Sequence, residues 1–366
     1  MVNLLNPFAY IDLIPSFTQM DLMNPLTYMK RNSSGSGDHL STLSEFGTNP
    51  GALQARTHIP TDLAEGAPLV VVLHGCKQTA EDYDHGAGWS EVADQFGFAL
   101  LFPEQQRSNN WLLGFNWFEP RDTRRGAGEA LSIRHMVEQV VSDHGIDRQR
   151  IFITGLSAGG AMTSVMLATY PDVFAGGAII AGLPFGSAYT ALAALRRMKG
   201  KGEPTARQLA TRLRDASGYD GPWPTLSVWH GSGDHTVAPS NATAILDQWR
   251  VLHDLGRMPT STHIVNGYPR RVWSDADGHE LIEEYNITGM GHGTPLKTGG
   301  RNSCGSRGAY MLEVNISSTR HIADFWGLDS PARPAITGDA TVIPAGRSKH
   351  VLPERKPGAA SLRPTA

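Results

Sequence analysis

Cysteine is scarce in this sequence, because only Cys76 and Cys304 occur among 366 residues. Two cysteines cannot hold together a disulfide-rich scaffold, and they cannot supply a zinc cluster. They allow one disulfide bridge or none. With 40% hydrophobic residues the chain can nevertheless bury a sizeable core, which excludes disorder of the whole chain.

The sequence also lacks an excess of charge of one sign, because it has 32 Lys and Arg and 35 Asp and Glu, a net charge of −3. The sequence therefore lacks the electrostatic footprint of a nucleic-acid-binding protein, and no nucleic-acid partner is predicted. No segment reaches the roughly 20 apolar residues that span a bilayer, so no membrane partner is predicted either. No pattern in the chain predicts an oligomeric state.

The beginning of the chain lacks the pattern of a signal peptide. Residues 1–28 have no basic segment ahead of an unbroken apolar stretch, because asparagine, aspartate and proline interrupt them. Taken alone, the sequence therefore predicts a cytoplasmic protein.

Composition divides the chain into three regions, within which 40 glycines and 23 prolines indicate many tight connections. Residues 1–66 lack strong periodicity and contain the polar run 32–37, which predicts an N-terminal extension with a Ser/Gly linker. Residues 67–328 alternate short apolar runs with helical patterns and form one predicted folded domain. Residues 329–366 hold six prolines and no aromatic residue, which predicts a Pro-rich, disordered tail.

The middle region is typical of an α/β protein. Leu69–Leu73 is an unbroken apolar run, the pattern of a strand buried on both faces. Similar runs lie at 98–102, 151–154, 178–180 and 226–229, and helical patterns lie at 89–96, 129–144, 158–169, 241–255 and 319–326. Alternating strands and helices predict a mostly parallel central sheet with helices on both faces. In such sheets reactive groups lie at the carboxyl ends of strands.

The segment Gly155-Leu156-Ser157-Ala158-Gly159 follows one predicted strand and precedes a predicted helix. Strand, turn and helix are the context in which G-x-S-x-G forms a nucleophile elbow. The turn would hold Ser157 in a strained conformation with its Oγ exposed, and side chains at Gly155 and Gly159 would clash across it. The helix N-terminus adds partial positive charge and free N–H groups. Ser157 is therefore the predicted nucleophile.

A serine hydroxyl needs a base, and the base needs an orienting acid. In proteins with this elbow the order along the chain is serine, acid, histidine. Asp234 follows a predicted strand within a Gly-rich loop, and His292 lies between glycines after the strand-like residues 284–287. His235 is a competing base, but it neighbours Asp234 on the same loop and is poorly placed to face both partners. Asp234 and His292 are the predicted partners of Ser157.

The oxyanion of acyl transfer needs N–H donors. This fold supplies one just after the nucleophile and one after the first buried strand, which assigns the main-chain N–H groups of Ala158 and Cys76. An alternative makes the Cys76 thiol a nucleophile, but no base is placed for it. His279 with Asp275 and Asp277 looks like a metal-ligand cluster, yet a solvated turn is the favoured interpretation and no metal is predicted.

Aromatic residues cluster between the second predicted strand and the long helix. They either line a substrate cleft or belong to the core, and such clusters are more often core. Trp223, which lies between two prolines, is predicted to shape the same rim. The candidate substrate-binding residues are Trp111, Phe115, Trp117 and Trp223.

These motifs, in this order, resemble those of the polyhydroxybutyrate (PHB) depolymerase-type esterases, which are related to feruloyl and acetylxylan esterases. The similarity spans about 67–328 and is carried by the blocks at 68–78, 116–118, 125–129, 155–162 and 229–234. It implies an α/β-hydrolase fold, no cofactor, and hydrolysis of short-chain hydroxyacid polyesters or related esters. Because many members are secreted, it also implies an extracellular location, as the alternative to the cytoplasmic one.

One block departs from the family pattern. Many relatives carry a cysteine just before the Asn-Trp-Phe block, where this chain has Gly114 and Phe115. The resemblance therefore implies that Cys76 forms no disulfide with that region.

Two hypotheses of different class remain. The first is a serine esterase that hydrolyses poly(3-hydroxybutyrate) or its oligomers through an acyl-enzyme on Ser157, with a feruloyl or acetylxylan esterase as the alternative enzyme. The second is a non-catalytic binder of polymer or granule surfaces on a hydrolase-like fold. The presence of Ser157, Asp234 and His292 together favours the enzyme, because a decayed enzyme would have lost one of them.

Overall fold

The computed structural model describes residues 39–202 and 204–329, and a ten-stranded sheet forms its centre. The strand order is β1-β2-β4-β3-β5-β6-β7-β10-β9-β8, and a separate two-stranded sheet pairs β11 with β12. The strands are β1 (Ser41–Thr42), β2 (Gln54–His58), β3 (Leu69–Leu73), β4 (Ala99–Glu104), β5 (Ile151–Leu156), β6 (Gly176–Ile180), β7 (Thr225–Gly231), β8 (Ser261–Val265), β9 (Tyr268–Ser274), β10 (Glu280–Ile287), β11 (Thr294–Leu296) and β12 (Met311–Glu313).

Six adjacent strands of this sheet, from β4 to β10 in the spatial order, run parallel to one another. The strands at both margins pair antiparallel. The helices are α1 (Ala80–Ala87), α2 (Trp89–Phe96), α3 (Gly128–His144), α4 (Ala158–Thr169), α5 (Ala191–Met198), α6 (Ala206–Asp215), α7 (Ser240–Leu252) and α8 (Ser318–Phe325).

Alternate residues of β3 point into two different cores. Leu69, Val71 and Leu73 pack with α3, α4 and α7 on one face of the sheet. Val70 and Val72 pack with α1, α2 and α8 on the other face. This period-two division explains why the run is apolar without interruption. The predicted mostly parallel sheet with helices on both faces is confirmed.

The sheet begins earlier in the chain than the composition suggests. β1 and β2 both precede residue 67, and β2 pairs with β4 through the whole of Gln54–His58. Residues 41–42 and 54–58 are therefore part of the sheet, and the extension assigned to 1–66 is too long. The Ser/Gly run at 32–37 and the tail after residue 329 lie outside the described residues.

Local backbone geometry explains a smaller difference. The helical pattern of 241–255 continues to residue 255, but α7 ends at Leu252, since Asp254 adopts the left-handed conformation with φ 55°.

Among the helices described, none has both the length and the apolar character needed to cross a bilayer. Cys76 and Cys304 are both free thiols.

Candidate active site

Ser157 lies in the tight turn between β5 and α4. Its backbone has φ 57° and ψ −113°, a strained conformation for a residue with a side chain. The Ser157 N–H donates to the Ile180 carbonyl at 2.9 Å, which ties the turn to the neighbouring strand β6. The turn therefore presents the serine hydroxyl at the carboxyl edge of the sheet.

Two glycines make this turn sterically allowed. A Cβ atom on Gly155 would lie 2.5 Å from the main chain of Gly159, and one on Gly159 would lie 2.3 Å from the Leu73 carbonyl oxygen. Real Cβ atoms do not approach backbone so closely. The start of α4 consequently packs directly on the end of β3, as the motif required.

His292 and Asp234 complete a hydrogen-bonded row with the serine. The His292 Nε2 lies 2.9 Å from Ser157 Oγ, and its Nδ1 lies 2.7 Å from Asp234 Oδ2. Asp234 follows β7 and His292 follows β10, so the three residues come from the carboxyl ends of parallel strands. The structure thus brings together the three side chains that sequence analysis selected.

The Asp234 carboxylate is held in its charged form. Its Oδ1 accepts the main-chain N–H groups of Thr236 at 2.8 Å and Val237 at 2.9 Å. Burial alone would raise the pKa of Asp234, but hydrogen bonds from His230 and His292 outweigh it and hold that pKa well below its usual range. A charged Asp234 keeps the His292 proton on Nδ1 and leaves Nε2 free to accept a proton.

The other histidines near the acid have different positions. The competing base His235 is exposed, and its described polar contact is a main-chain one, the carbonyl that accepts from Lys199 Nζ at 2.7 Å. His230 is buried behind Asp234, with Nε2 3.4 Å from Asp234 Oδ2 and 2.9 Å from the Val237 carbonyl. His230 contacts the same Asp234 oxygen as His292, a position that sequence reasoning did not assign.

Cys76 and Ala158 lie next to each other beside the serine. The position of a Cβ atom on Gly114 is 2.5 Å from Cys76 Sγ and 3.7 Å from Ala158 Cβ. Within the described part of the chain, no main-chain carbonyl accepts from the Cys76 N–H, and Ala158 is the first residue of α4, where N–H groups lack a partner in the helix. Their assignment as the oxyanion donors stays a prediction. Burial raises the pKa of the Cys76 thiol to about 11, which makes it a poor nucleophile.

The four aromatic candidates occupy different environments. Trp111 is 48% exposed, whereas Phe115 is 1% exposed and packs on the His74 ring, with centroids 5.0 Å apart. Phe115 is thus a core residue, and its assignment to the cleft wall is wrong. Trp117 is half-buried against the small cluster of Ala161, Leu183 and Val237, and Trp223 is half-buried edge-on to Tyr219 at 5.6 Å.

Sequence reasoning missed two features that border the serine and histidine. Ala161 and Val237 belong to one small buried cluster, in which the Ala161 N–H donates to the Ser157 carbonyl and the Val237 N–H donates to Asp234 Oδ1. Tyr310 lies edge-on to His292 with ring centroids 6.0 Å apart, and its backbone is left-handed with φ 63°. Burial first, and the nearby Cys76 second, raise the pKa of Tyr310. Tyr310 follows His292 by 18 positions (310 − 292) and has no local sequence signal that it lies beside the histidine.

The acidic turn at 275–279 connects β9 and β10, away from these residues. Asp275 Oδ1 accepts the N–H groups of Asp277 at 3.0 Å and His279 at 2.8 Å, and its Oδ2 lies 3.0 Å from His279 Nδ1. The carboxylate of Asp275 thus stabilises its own exposed turn, as the favoured interpretation has it.

Comparison with known proteins adds to this geometry. The Esterase PHB depolymerase family profile matches residues 55–259. Poly(3-hydroxyalkanoate) depolymerase C of Paucimonas lemoignei is 47% identical over 298 residues, covering 81% of this chain and 72% of that protein. An acetylxylan esterase of Coprinopsis cinerea is 33% identical, covering 70% of this chain and 69% of its own.

The same relationship extends to solved structures. The acetyl xylan esterase from Aspergillus awamori superposes with a TM-score of 0.67 at 25% identity, covering 80% of this chain and 100% of that one. The fold of this chain is the α/β-hydrolase fold, and its relatives are esterases. The chain therefore belongs to the Esterase PHB depolymerase family, and it is a carboxylic ester hydrolase.

Proposed function

We propose that the protein hydrolyses esters by acyl transfer through Ser157, with His292 as general base and Asp234 as the orienting acid. The observation that carries this proposal is the unbroken row from Asp234 through His292 to Ser157, with contacts of 2.7 Å and 2.9 Å. The strained backbone of Ser157 supports it, because strain of this kind is kept where function needs it.

Each step assigns one proton or one charge to a residue. The Ser157 oxygen attacks the ester carbonyl carbon while its proton passes to His292 Nε2. The N–H groups of Cys76 and Ala158 stabilise the oxyanion, a contribution of about 3 kcal/mol for each donor. His292 then protonates the leaving alcohol, and a water molecule repeats the sequence to release the acid. The charge of Asp234 stabilises the imidazolium in both halves of the reaction.

The proposed substrate is poly(3-hydroxybutyrate) or its oligomers. The depolymerase of Paucimonas lemoignei, at 47% identity, is more similar to this chain than the acetylxylan esterase at 33%. The exposed Trp111 and the half-buried Trp117 offer apolar surface to an aliphatic polyester.

Clearing of an amorphous poly(3-hydroxybutyrate) suspension tests the mechanism and the substrate together. The wild-type protein is expected to clear the suspension and to hydrolyse p-nitrophenyl butyrate, and Ser157→Ala is expected to do neither while remaining folded. Clearing by Ser157→Ala would contradict the assignment of the nucleophile. A wild-type protein that cleaves the butyrate ester but leaves the suspension turbid would contradict the polyester assignment.

A carbohydrate esterase is the second candidate, favoured by the likeness to the acetyl xylan esterase structure over its full length. Release of acetate from acetylated xylan, or of ferulate from methyl ferulate, faster than release of 3-hydroxybutyrate would favour it. Binding of polymer by wild-type protein and Ser157→Ala alike, with no turnover of any ester, is the result expected of a non-catalytic binder.

A further inference from the structure

A buried carboxylate lies next to the proposed site without belonging to it. Glu129, in the first turn of α3, is 0% exposed. Its Oε1 accepts from Gln105 Nε2 at 2.7 Å and Asn109 Nδ2 at 3.4 Å, and its Oε2 accepts the Asn116 N–H at 2.8 Å. Within the described ranges it forms no ion pair. Burial raises the pKa of Glu129 to about 8, and a buried carboxyl group is tolerated only when hydrogen bonds satisfy it, so Glu129 and these amides hold one another in place.

Gln105 connects this carboxylate to the end of β3. Its side-chain Nε2 also donates to the Gly114 carbonyl at 3.2 Å, and its main-chain N–H donates to His74 Nε2 at 3.1 Å. Because Nε2 of His74 accepts a hydrogen bond, it carries no proton, and the proton of the neutral ring is on Nδ1. The main-chain N–H of Gln105 thereby selects the tautomer of His74, and the Gln105 side chain, held by Glu129 and the Gly114 carbonyl, fixes where that N–H lies.

The His74 ring in turn orients a peptide plane. Its Nδ1–H donates to the Gly75 carbonyl oxygen at 2.8 Å. That carbonyl and the N–H of Cys76 belong to the same planar trans peptide unit and point in opposite directions. On the preceding peptide, the Gly75 N–H donates to Gln78 Oε1 at 2.8 Å. A fixed Gly75 oxygen therefore fixes the direction of the Cys76 N–H.

We propose that Glu129 and Gln105 are positioning residues that act through His74 to aim the Cys76 N–H at the oxyanion. The inference rests on the proposed function, which assigns this N–H to the oxyanion. The same Glu129 side chain also accepts from the Asn116 main chain, so one buried group holds both the oxyanion loop and residue 116. Loss of this relay weakens the binding of the transition state and leaves the binding of the ground-state ester unchanged.

The test compares wild-type protein with Glu129→Gln, Gln105→Met and the double variant. Turnover of p-nitrophenyl butyrate is expected to fall about 10- to 100-fold in kcat, with KM changed less than about twofold. The double variant is expected to lose no more than the worse single variant, because both substitutions interrupt one relay. The proposal would be overturned if the kcat losses of the two single variants multiplied in the double variant, or if only KM changed.

A transition-state analogue gives a readout that a merely structural role would not move. With an alkyl trifluoromethyl ketone, the Ser157 oxygen bonds to the carbonyl carbon, its proton passes to His292, and the carbonyl oxygen becomes the anion. The inhibition constant is expected to rise by the factor by which kcat/KM falls. An inhibition constant equal to that of the wild type, in a variant with reduced kcat, would overturn the relay.

Glu138→Gln is the matched control, since Glu138 lies on the same helix but forms exposed ion pairs with Arg134 and Arg148. It is expected to have wild-type kinetics. If Glu129→Gln does not fold by circular dichroism, Gln105→Met alone decides the question by the same two readouts. Unchanged kinetics in folded variants refute the relay and leave the esterase mechanism intact, whereas a wild-type protein inactive on the ester refutes both.

Discussion

Replacing Gly114 by cysteine is expected to create a disulfide with Cys76 and to stabilise the protein. The Cβ position of residue 114 lies 3.9 Å from Cys76 Cβ, within the 3.5–4.5 Å that disulfides require. The φ of Gly114 is not in the left-handed region, so a side chain is compatible with its backbone. The Cys76 Sγ now lies 2.5 Å from that Cβ, so the Cys76 side chain must rotate about its Cα–Cβ bond to reach the geometry of a disulfide.

The expected gain in the free energy of unfolding depends on the length of the loop that the disulfide would close. Residues 76 and 114 are 38 positions apart (114 − 76), for which chain entropy gives about 4 kcal/mol. Engineered bridges commonly deliver less, so about 2–4 kcal/mol is expected, or a rise in Tm of about 4–8 °C for a domain of this size. Turnover should persist, because the bridge uses the Cys76 side chain and leaves its N–H in place.

Thermal unfolding with and without reductant measures this effect. The oxidised variant should release one reactive thiol in denaturant, that of Cys304, and its Tm should fall below that of wild type after reduction. Cys76→Ser combined with Gly114→Cys is the control, because it carries the same substitution without a partner. Three titratable thiols in the oxidised Gly114→Cys variant, or equal Tm values in both redox states, would refute the geometric reasoning.

Other perturbations probe the same region and the core. Asp234→Asn should lower kcat about 10⁴-fold at neutral pH because His292 would lose its productive tautomer, and a kinetic loss below tenfold would exclude this role. Cys76→Ala should retain kcat within a few-fold, and iodoacetamide should not inactivate the native protein, since the thiol pKa of about 11 keeps it protonated. Tyr310→Ala should raise KM for hydroxybutyrate oligomers more than for p-nitrophenyl acetate; equal changes for both would contradict a contact with the longer chain. Burial chiefly lowers the pKa of His253 and of His321 to about 4, so stability is complete above pH 6.5 and declines towards pH 4 as the unfolded chain takes up protons. Chemical unfolding across that range should show a smaller decline in His321→Gln, and an identical pH profile would count against it.

Much of the fold could be predicted from the sequence because both faces of the sheet are buried. A strand such as Leu69–Leu73 then appears as an unbroken apolar run, and the order of strands and helices predicts the parallel sheet. The marginal strands are different. β2 alternates between buried and exposed positions and β8 is largely exposed, so neither produces a run that stands out. Their place in the sheet depends on pairing with partners distant in the chain.

Some residues of the candidate site have a local sequence signal and others do not. Ser157, Asp234 and His292 each follow a strand within a glycine-containing turn, a local signal that single-sequence reasoning can detect. Tyr310 and Glu129 have no such signal, because their importance comes from what the fold brings beside them. Phe115 was misassigned for a related reason: the sequence shows an aromatic cluster, but only the packing on His74 distinguishes a core ring from an exposed one.

The serine and the histidine that it contacts are 135 positions apart in the chain, and the strands that carry the site lie side by side only in the finished sheet. Recovery of esterase activity therefore reports that the strands carrying the site have paired. An intermediate in which β3, β5 and β6 have paired but β10 has not docked would hold the strained serine turn without a base. During refolding, esterase activity should thus not recover before β10 has paired with β7, even where helical circular dichroism returns earlier.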